Sequence, residues 1–308
     1  MINKLNNIPS IKEIYEVELK DFFKDAPGVG EETKERRANT LRVFRIKYLS
    51  DGLLIDGFIV YPKREFAQGE KLPIVISNRG GCGSFSEFDS SYFFKFARAE
   101  SIINAGYVLI FSNYRGSSLS EGKDDVNGDS INDILNLKNI IDELPYIDSE
   151  KIGMMGGSRG GAAALLSLSK VNWIKTVFAF STYSRIDYSV KNNLRDERFW
   201  TETMPQFFDT NNPKEVKRRS PWYEIESLPK NVPLCIVHGT SDNRAPLSDM
   251  MEYYAKLIEH KIPARLVVLE GADHYFTEHK KDFEKMIIEW FDLHLKETQT
   301  IDMEPHGI

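Results

Sequence analysis

The segment Gly156–Gly161, which reads Gly-Gly-Ser-Arg-Gly-Gly, constrains the fold of this chain more than any other. It follows the apolar run Ile152–Met155 and precedes the small-residue run Ala162–Leu168, which predicts a strand, a sharp turn and a helix in succession. Glycines two residues before and two residues after Ser158 leave room for such a turn, because neither carries a side chain. The pattern predicts that Ser158 projects from the carboxyl end of a strand, at the N-terminus of a helix.

A serine in this setting is typical of a nucleophile, whereas the alternative is an ordinary glycine-rich turn that binds a phosphate. The segment lacks the Lys-Ser/Thr ending of a P-loop and the Gly-x-Gly-x-x-Gly spacing of a dinucleotide site. We therefore interpret Ser158 as a nucleophile. The backbone N–H of Arg159, the next residue, would then stabilise the negative charge that develops on a substrate oxygen. Such a serine also needs a base to remove its proton and an acid to orient that base.

The composition is that of a globular protein with a large core. The chain has 308 residues, 41% of them hydrophobic, and its formal net charge is −6. This composition excludes a disordered protein, and because no basic block stands out we expect neither a nucleic-acid partner nor a membrane partner. Two cysteines are too few for a disulfide framework. The polar N-terminus lacks the pattern of a signal peptide and no apolar run could span a bilayer, so we expect a cytoplasmic protein.

Short apolar runs separated by helical patterns predict a mostly parallel sheet. The runs do not alternate with polar residues, which is typical of strands that are buried on both faces. The eight predicted strands are Val43–Leu49, Leu54–Tyr61, Pro73–Ser77, Tyr107–Ser112, Lys151–Met155, Ile174–Phe180, Val232–Val237 and Ala264–Leu269. The predicted helices between and after them are Phe88–Asn104, Ser130–Leu144, Leu247–His260 and Phe283–Leu295. The order predicts an α/β fold in which helices cover both faces of an eight-stranded sheet.

The same patterns predict how the chain is divided. The predicted parts are an N-terminal extension (1–43), a catalytic domain (44–297) with a cap-like insertion (182–231), and a C-terminal tail (298–308). Within the extension, Ile8–Phe23 has the spacing of an amphipathic helix, and Asp25–Asn39 has the composition of a polar linker. The insertion carries no strand pattern and is too long for a plain connection, so we predict a helical excursion.

Candidates for the acid and the base follow later strands, in the order that this geometry needs. Asp242 follows the predicted strand Val232–Val237, and His274 follows the predicted strand Ala264–Leu269. Taken alone, Asp242 is equally consistent with a residue that caps the next helix, and His274 with a surface histidine. Their joint occurrence at successive strand ends, after Ser158, favours a Ser-Asp-His triad.

The competing residues fit these roles less well. Asp273 is adjacent to His274 and cannot easily reach its far ring nitrogen, and Asp249 lies inside a helical pattern. His238 fits a structural histidine at the end of a strand. The second donor to the substrate oxygen is expected in the loop Asn78–Gly83, although a flexible turn explains its glycines nearly as well.

With these segments in view, the chain resembles the prolyl oligopeptidase family of serine hydrolases, within the α/β-hydrolase fold, from about Phe44 to Leu295. Arg79–Gly83 (Arg-Gly-Gly-Cys-Gly) stands where the family usually has His-Gly-Gly-Pro-Gly. This similarity implies that the Gly81 N–H donates to the oxyanion. The other similar segments are Asn113–Ser117 to the family's Arg-Gly-Ser segment, Gly156–Gly161 to its nucleophile, His238–Pro246 to its acid loop and Gly271–His274 to its base loop.

The resemblance implies hydrolysis of an amide, peptide or ester bond through an acyl-enzyme, with no metal or organic cofactor. Arg244 stands where the prolyl oligopeptidase branch has an arginine that hydrogen-bonds a substrate carbonyl, which favours a peptidase acting on short peptides. A surface arginine at the start of a helix is the alternative for Arg244.

Two further functions stay open at this point. The family's peptidases usually carry an N-terminal β-propeller for which residues 1–43 leave no room, and this favours a carboxylesterase or acyl hydrolase acting on small esters. A non-catalytic binding protein with the same fold would need a broken triad, and none of the three members is missing. The sequence leaves open whether the chain forms a homo-oligomer.

Overall fold

The computed structural model describes four stretches of the chain, which form two compact units. The described residues are 1–22, 30–81, 99–191 and 212–297. The first unit is Met1–Ile152 and the second is Gly153–Ile308. The strand Ile147–Gly157 (β6) begins in the first unit and ends in the second.

The first unit is built on an antiparallel hairpin to which further strands are added. Its other strands are β1 (Ile11–Glu16), β2 (Leu41–Ser50), β3 (Leu53–Pro62), β4 (Leu72–Asn78) and β5 (Val108–Ser112). They lie in the order β1-β2-β3-β5-β4-β6, with antiparallel pairing from β1 to β5 and parallel pairing between β5 and β4. β4 and β5 are buried along their whole length, which explains why their sequences are continuous apolar runs.

The helices of the first unit are short. They are α1 (Ile2–Leu5), α2 (Leu19–Phe22), α3 (Glu31–Thr40), α4 (Ala99–Asn104), α5 (Ser130–Leu135) and α6 (Leu137–Glu143). The single helix predicted over Ser130–Leu144 is observed as two helices, α5 and α6. Asn136 lies between them, at the C-cap position of α5 and the N-cap position of α6. The predicted helix Phe88–Asn104 lies largely outside the described residues, and α4 is the part of it that is described.

The N-terminal residues differ from expectation in two places. The helical spacing over Ile8–Phe23 is misleading, since Ile11–Glu16 is a strand that pairs antiparallel with β2. The described residues therefore contain nine strands, one more than predicted. The expected polar linker Asp25–Asn39 contains most of α3, although residues 23–29 lie outside the described ranges. Arg36 and Arg37 of α3 both bind Glu100 of α4. These ion pairs stabilise α3, a role that an apolar face plays in other helices.

The second unit alternates parallel strands with helices. After the end of β6 its strands are β7 (Ile174–Phe180), β8 (Leu234–Gly239) and β9 (Ala264–Leu269), in the order β6-β7-β8-β9. Pairing is parallel from β7 to β9. Its α-helices are α7 (Arg159–Leu168), α8 (Ile186–Lys191), α9 (Pro213–Arg218), α10 (Leu247–Glu259) and α11 (Lys280–Phe291). A 3₁₀ helix, Pro221–Ser227, and a π-helix, Asp292–Lys296, complete the unit.

The described part of the predicted insertion is helical, as expected. It comprises α8, α9 and the 3₁₀ helix, whereas residues 192–211 lie outside the described ranges. The predicted tail 298–308 also lies outside them, and the predicted domain limits stay predictions. In the described ranges, every helix is too short or too polar to cross a membrane. The α/β fold class is confirmed, with mostly parallel strands in the second unit and helices between them.

Candidate active site

Ser158 lies at a sharp turn between β6 and α7, in the second unit. Its backbone has φ 54° and ψ −125°, a conformation that only glycine adopts without strain. Hydrogen bonds hold the turn on both sides. The Ser158 N–H donates to the Phe180 carbonyl at 3.0 Å, and the Ser158 carbonyl accepts from the Thr182 hydroxyl at 2.7 Å. Such strain persists because the surrounding contacts fix the backbone. Ser158 itself is partly exposed.

The glycines beside Ser158 are required by close contacts. A Cβ on Gly156 would lie 2.1 Å from the Gly160 carbonyl oxygen, and a Cβ on Gly157 would lie 2.2 Å from the Phe180 ring. A Cβ on Gly161 would lie 2.6 Å from the Cβ of Thr182. Real Cβ atoms do not approach so closely, so a side chain at Gly156 would force the backbone of the turn to move, and one at Gly157 or Gly161 would displace Phe180 or Thr182.

Arg159 begins α7, and its side chain is buried, with a relative exposure of 3%. The first N–H groups of a helix have no partner inside the helix, and they give its N-terminus a partial positive charge. The turn thus places the Ser158 hydroxyl next to the positive end of a ten-residue buried helix.

Asp242 follows β8, and its side chain is fully buried. Its Oδ1 accepts the backbone N–H of Arg244 at 2.8 Å and that of Ala245 at 3.0 Å. The carboxylate therefore caps its own loop and also faces His274. The role of a capping residue and that of an acid partner, which the sequence offers as alternatives, are compatible in this geometry.

His274 follows β9 and directs its Nδ1 at Asp242, 2.8 Å from Oδ2 and 3.0 Å from Oδ1. Its side chain is 8% exposed. Because the carboxylate can only accept, Nδ1 carries the proton, and the far nitrogen, Nε2, is the one that can take a proton from another group. The structure thus brings two of the three predicted triad residues into direct contact.

The electrostatics of this pair favour the charged carboxylate. Burial alone would raise the pKa of Asp242, but the hydrogen bond and the electrostatic attraction from the His274 ring and the N–H groups of Ala245 and Arg244 outweigh it. The pKa of Asp242 therefore lies below its ordinary value. An acid that stays ionised in a buried site can stabilise an imidazolium beside it.

The loop that carries His274 is held by its own side chains. Asp273 accepts the N–H groups of Tyr275 and Thr277 and the Thr277 hydroxyl, so its carboxylate faces the loop. Phe276 then stacks on Phe283 of α11, with ring centroids 4.3 Å apart. The loop is thus anchored on both sides of His274.

Asp249, the other competing acid, lies in α10 as its sequence pattern predicts, and its side chain is fully buried. It accepts the Ser184 N–H at 2.6 Å, the Ser184 hydroxyl at 2.8 Å and the Arg185 Nε at 2.8 Å. These bonds join the segment after β7 to α10, which is a structural task.

The two predicted substrate contacts lie in different units. Arg244 is exposed in the second unit, where its guanidinium lies over the Tyr275 ring, 5.0 Å from the centroid. Gly81 lies in the first unit, just after β4, with a φ of 85° that suits glycine. The Arg79 guanidinium before it donates to the Asn113 carbonyl at 2.8 Å. Residues 82 and 83 of the expected glycine loop lie outside the described ranges.

Sequence reasoning missed two residues around the site. Thr182 binds the Ser158 carbonyl at the turn, and Tyr275 lies under Arg244. His238, which the sequence assigns a structural role at a strand end, lies 3.4 Å from Asp242. The adjacency of Tyr275 to His274 is a signal that sequence analysis could have used. Thr182 follows β7 without any motif, so only the structure identifies it.

Comparison with known proteins places this chain in a family. The sequence model of the prolyl oligopeptidase family matches residues 92–298. The uncharacterized peptidase YuxL of Bacillus subtilis (strain 168) is 26% identical in an alignment 311 positions long, gaps included. The alignment covers 92% of this chain and 44% of that protein.

Solved structures share the fold at lower identity. An acylaminoacyl peptidase of Pyrococcus horikoshii matches with a TM-score of 0.71 and 20% identity, over 87% of this chain and 44% of its own. An esterase of Pyrococcus furiosus matches with a TM-score of 0.65 and 19% identity, over 87% of this chain and 96% of its own. The chain therefore spans less than half the length of YuxL and of the acylaminoacyl peptidase.

These structural matches show the α/β-hydrolase fold, and the family match extends over more than half of the residues. The chain belongs to the prolyl oligopeptidase family of serine hydrolases.

Proposed function

We propose that the protein hydrolyses an acyl bond with Ser158 as nucleophile, His274 as base and Asp242 as the acid that orients His274. The observation that carries this proposal is the pair of distances from His274 Nδ1 to the Asp242 carboxylate, 2.8 and 3.0 Å, in the same unit as the strained turn at Ser158. In this mechanism His274 Nε2 takes the proton of the Ser158 hydroxyl as the oxygen attacks the carbonyl. The same nitrogen then protonates the leaving group, and water releases the acyl group by the reverse route.

The negative charge of the tetrahedral intermediate needs donors that are already in place. The Arg159 N–H, at the start of α7, is the first donor in this proposal, supported by the partial positive charge of the helix N-terminus. The Gly81 N–H is the second, supported by a positive φ that lets the backbone approach a ligand closely. No step of this mechanism calls for a metal or an organic cofactor.

The favoured substrates are short peptides. Arg244 is exposed next to the acid loop and carries a planar fork of donors, which suits a peptide carbonyl. The relative YuxL and the Pyrococcus horikoshii protein are both named peptidases. A carboxylesterase acting on small esters is the second candidate, because the Pyrococcus furiosus esterase matches over nearly its whole length.

Labelling with a fluorophosphonate probe tests the nucleophile. We expect covalent modification of the wild-type protein, with the label mapped to Ser158 by peptide mass spectrometry. The Ser158→Ala variant should take up no label and hydrolyse no substrate, while keeping the wild-type melting temperature. A folded wild-type protein that the probe does not label would reject the mechanism.

A paired substrate panel tests the bond type. The panel contains short-chain nitrophenyl esters beside aminoacyl and prolyl nitroanilides, each assayed with the wild-type protein and with Arg244→Met. If Arg244 holds a peptide carbonyl, the substitution raises KM for the amides and leaves KM for the esters unchanged. An equal effect on both classes removes the argument for peptides, and ester turnover without amide turnover selects the esterase.

A further inference from the structure

We propose that His238 is a positioning residue for the reaction, because its Nε2–H binds the Ala245 carbonyl and thereby holds the loop that binds the Asp242 carboxylate in the orientation that His274 needs. This inference rests on the proposed function, since it concerns the same acid and base. The sequence suggests only a structural histidine at the end of β8. The contacts of the ring indicate that it also positions the loop of the acid.

The protonation of His238 follows from its partners. The side chain is fully buried, and its Nε2 lies 2.9 Å from the Ala245 carbonyl oxygen and 3.4 Å from Asp242 Oδ2. Both oxygens can only accept, so Nε2 carries a proton. The other nitrogen, Nδ1, is buried and has no hydrogen-bond partner among the described residues. A proton on Nδ1 would be a buried donor without an acceptor, so the ring is neutral.

Ala245 couples His238 to the acid through a single residue. Its carbonyl accepts from His238, while its N–H donates to Asp242 Oδ1 at 3.0 Å. The orientation of this one residue thus fixes both contacts. If the His238 donor were lost, the Ala245 carbonyl would lose a buried partner, and the N–H that holds Asp242 would be less well fixed.

The two oxygens of Asp242 have different surroundings. Oδ1 accepts two backbone N–H groups, whereas the contacts that the described residues make with Oδ2 come from His274 at 2.8 Å and His238 at 3.4 Å. A neutral N–H at Oδ2 attracts the carboxylate without adding a second cation. The negative charge thus remains available to the imidazolium that forms on His274 during the reaction.

Three ionisable groups influence the pKa of the His238 ring through their charges. They are Asp242 of its own loop, His274 of the next loop and Asp249 of α10. Burial lowers the pKa of His238 and His274 acts in the same direction, whereas the Ala245 carbonyl and the two carboxylates oppose them. The net shift is downward, in agreement with a ring that stays neutral while the enzyme works.

Matched substitutions at His238 test the role. His238→Gln keeps an amide N–H at a similar reach, and His238→Leu has a similar volume without a donor. We expect His238→Leu to lower kcat by about ten- to a hundredfold with KM nearly unchanged, because the buried Ala245 carbonyl loses its donor and no longer fixes the N–H that binds Asp242. His238→Gln should recover most of kcat. Equal losses in the two folded variants, or a wild-type kcat in His238→Leu, would overturn the proposal.

If His238→Leu does not fold, His238→Asn replaces it, because its amide is too short to reach both oxygens. Proton NMR adds a readout that does not require turnover, the far-downfield resonance of the proton between His274 Nδ1 and Asp242. We expect this resonance in the wild-type protein and in His238→Gln, and a weakened one in His238→Leu or His238→Asn. An unchanged resonance in all variants rejects the positioning role. Absence of labelling at Ser158 in the wild-type protein instead rejects the proposed function.

Discussion

At the scale of single residues, the site combines a strained backbone with a well-supported acid. Ser158 keeps an unfavourable φ because Phe180 and Thr182 bind its N–H and its carbonyl. Asp242 stays charged in a buried place because three donors bind its two oxygens: the ring of His274 and the N–H groups of Arg244 and Ala245. Small changes at either residue should therefore affect the reaction much more than the fold.

The first residue-scale prediction concerns Asp242→Asn. The asparagine amide has one oxygen that can accept from Nδ1 and one NH2 group that can only donate. The NH2 group favours the wrong tautomer of His274, so we expect kcat to fall by about 10⁴-fold with an unchanged fold. Steady-state kinetics with the best substrate of the panel measures this effect. Asp273→Asn is the matched control. Among the described residues, Asp273 binds the N–H groups and the hydroxyl of its own loop, so that variant should keep most of kcat. Similar losses in both variants would contradict the assignment.

The second prediction concerns the turn around Ser158. Gly156→Ala places a Cβ 2.1 Å from the Gly160 carbonyl oxygen, which forces the turn to move. We expect a loss of about 1–3 kcal/mol in the free energy of unfolding together with a large fall in kcat. Urea unfolding and kinetics measure the two effects. Gly30→Ala is the control, since in the described residues no atom beyond its chain neighbours lies within 4 Å of the added Cβ and its φ is −69°. Its kcat should stay near the wild-type value, and its free energy of unfolding should fall by less than about 1 kcal/mol, because Gly30 is the N-cap of α3.

At the scale of helices and strands, the loops of the site depend on buried contacts between elements. Asp249 of α10 binds Ser184 and Arg185 after β7, and the Arg185 guanidinium lies 4.0 Å from the centroid of the Trp222 ring in the 3₁₀ helix. The acid loop leads directly into α10. Arg185 thus connects the described ends of the insertion to the helix that follows the acid.

We predict that Asp249→Ala lowers the free energy of unfolding by about 3–5 kcal/mol, because it leaves the two Ser184 donors without their acceptor and leaves the largely buried Arg185 with Glu252 alone. Glu252, the other partner of Arg185, has a side chain that is 51% exposed. Glu252→Ala should therefore lower the free energy of unfolding by less than about 1 kcal/mol. Chemical unfolding of both variants provides the comparison. If Asp249→Ala does not fold, Asp249→Asn, which can still accept from Ser184, should give an intermediate loss. Equal costs for the Asp249 and Glu252 variants would be inconsistent with this picture.

The elements that could be predicted from the sequence are those whose patterns have a local cause. Ile174–Phe180 matches its strand residue for residue, because a mostly buried parallel strand is a largely apolar run. Ala264–Leu269 also matches its strand residue for residue, although this strand lies at the edge of the sheet and is only partly buried. α10 begins at Leu247 after Pro246, as a proline before a helix predicts. β1 could not be predicted, since its residues are only half buried and its partner β2 lies well along the chain. α3 has one buried residue, Ala38, so apolar periodicity does not reveal it.

For the candidate site, the sequence predicted the Asp242–His274 contact because strand ends in a parallel sheet meet at one edge. It could not show the support of that contact. The bond from His238 to the Ala245 carbonyl and the bond from Thr182 to the Ser158 carbonyl use backbone acceptors, which leave no trace in residue types.

At the scale of the whole molecule, several ionisable groups with lowered pKa values make the folded state less stable as the pH falls. Burial holds the pKa of His238 below its ordinary value and that of His294 at about 4. Hydrogen bonds with His274 and with Arg42, respectively, help to lower the pKa values of Asp242 and Glu16 despite burial. Asp133 opposes this trend, since burial raises its pKa.

The sign follows from proton uptake by the unfolded chain. Histidines with a lowered pKa bind fewer protons folded than unfolded, so stability falls as the pH drops from about 6.5 toward 4. Carboxylates with a lowered pKa add stability above their unfolded pKa of about 4, and this is lost below it. We therefore predict a melting temperature that decreases steadily between pH 7 and pH 4. In His294→Phe, which cannot titrate, the decrease between pH 6.5 and 4 should be smaller. A melting temperature that is flat over this range would contradict the prediction.

The short stretch from His238 to Pro246 has a consequence for protein engineering. It contains the acid, the ring that supports it and the two backbone N–H groups that bind it, together with the exposed Arg244. Grafted as one contiguous peptide onto the corresponding strand of another hydrolase, it would bring the scaffold of its carboxylate with it. A designer who transplanted the aspartate alone would leave that scaffold behind.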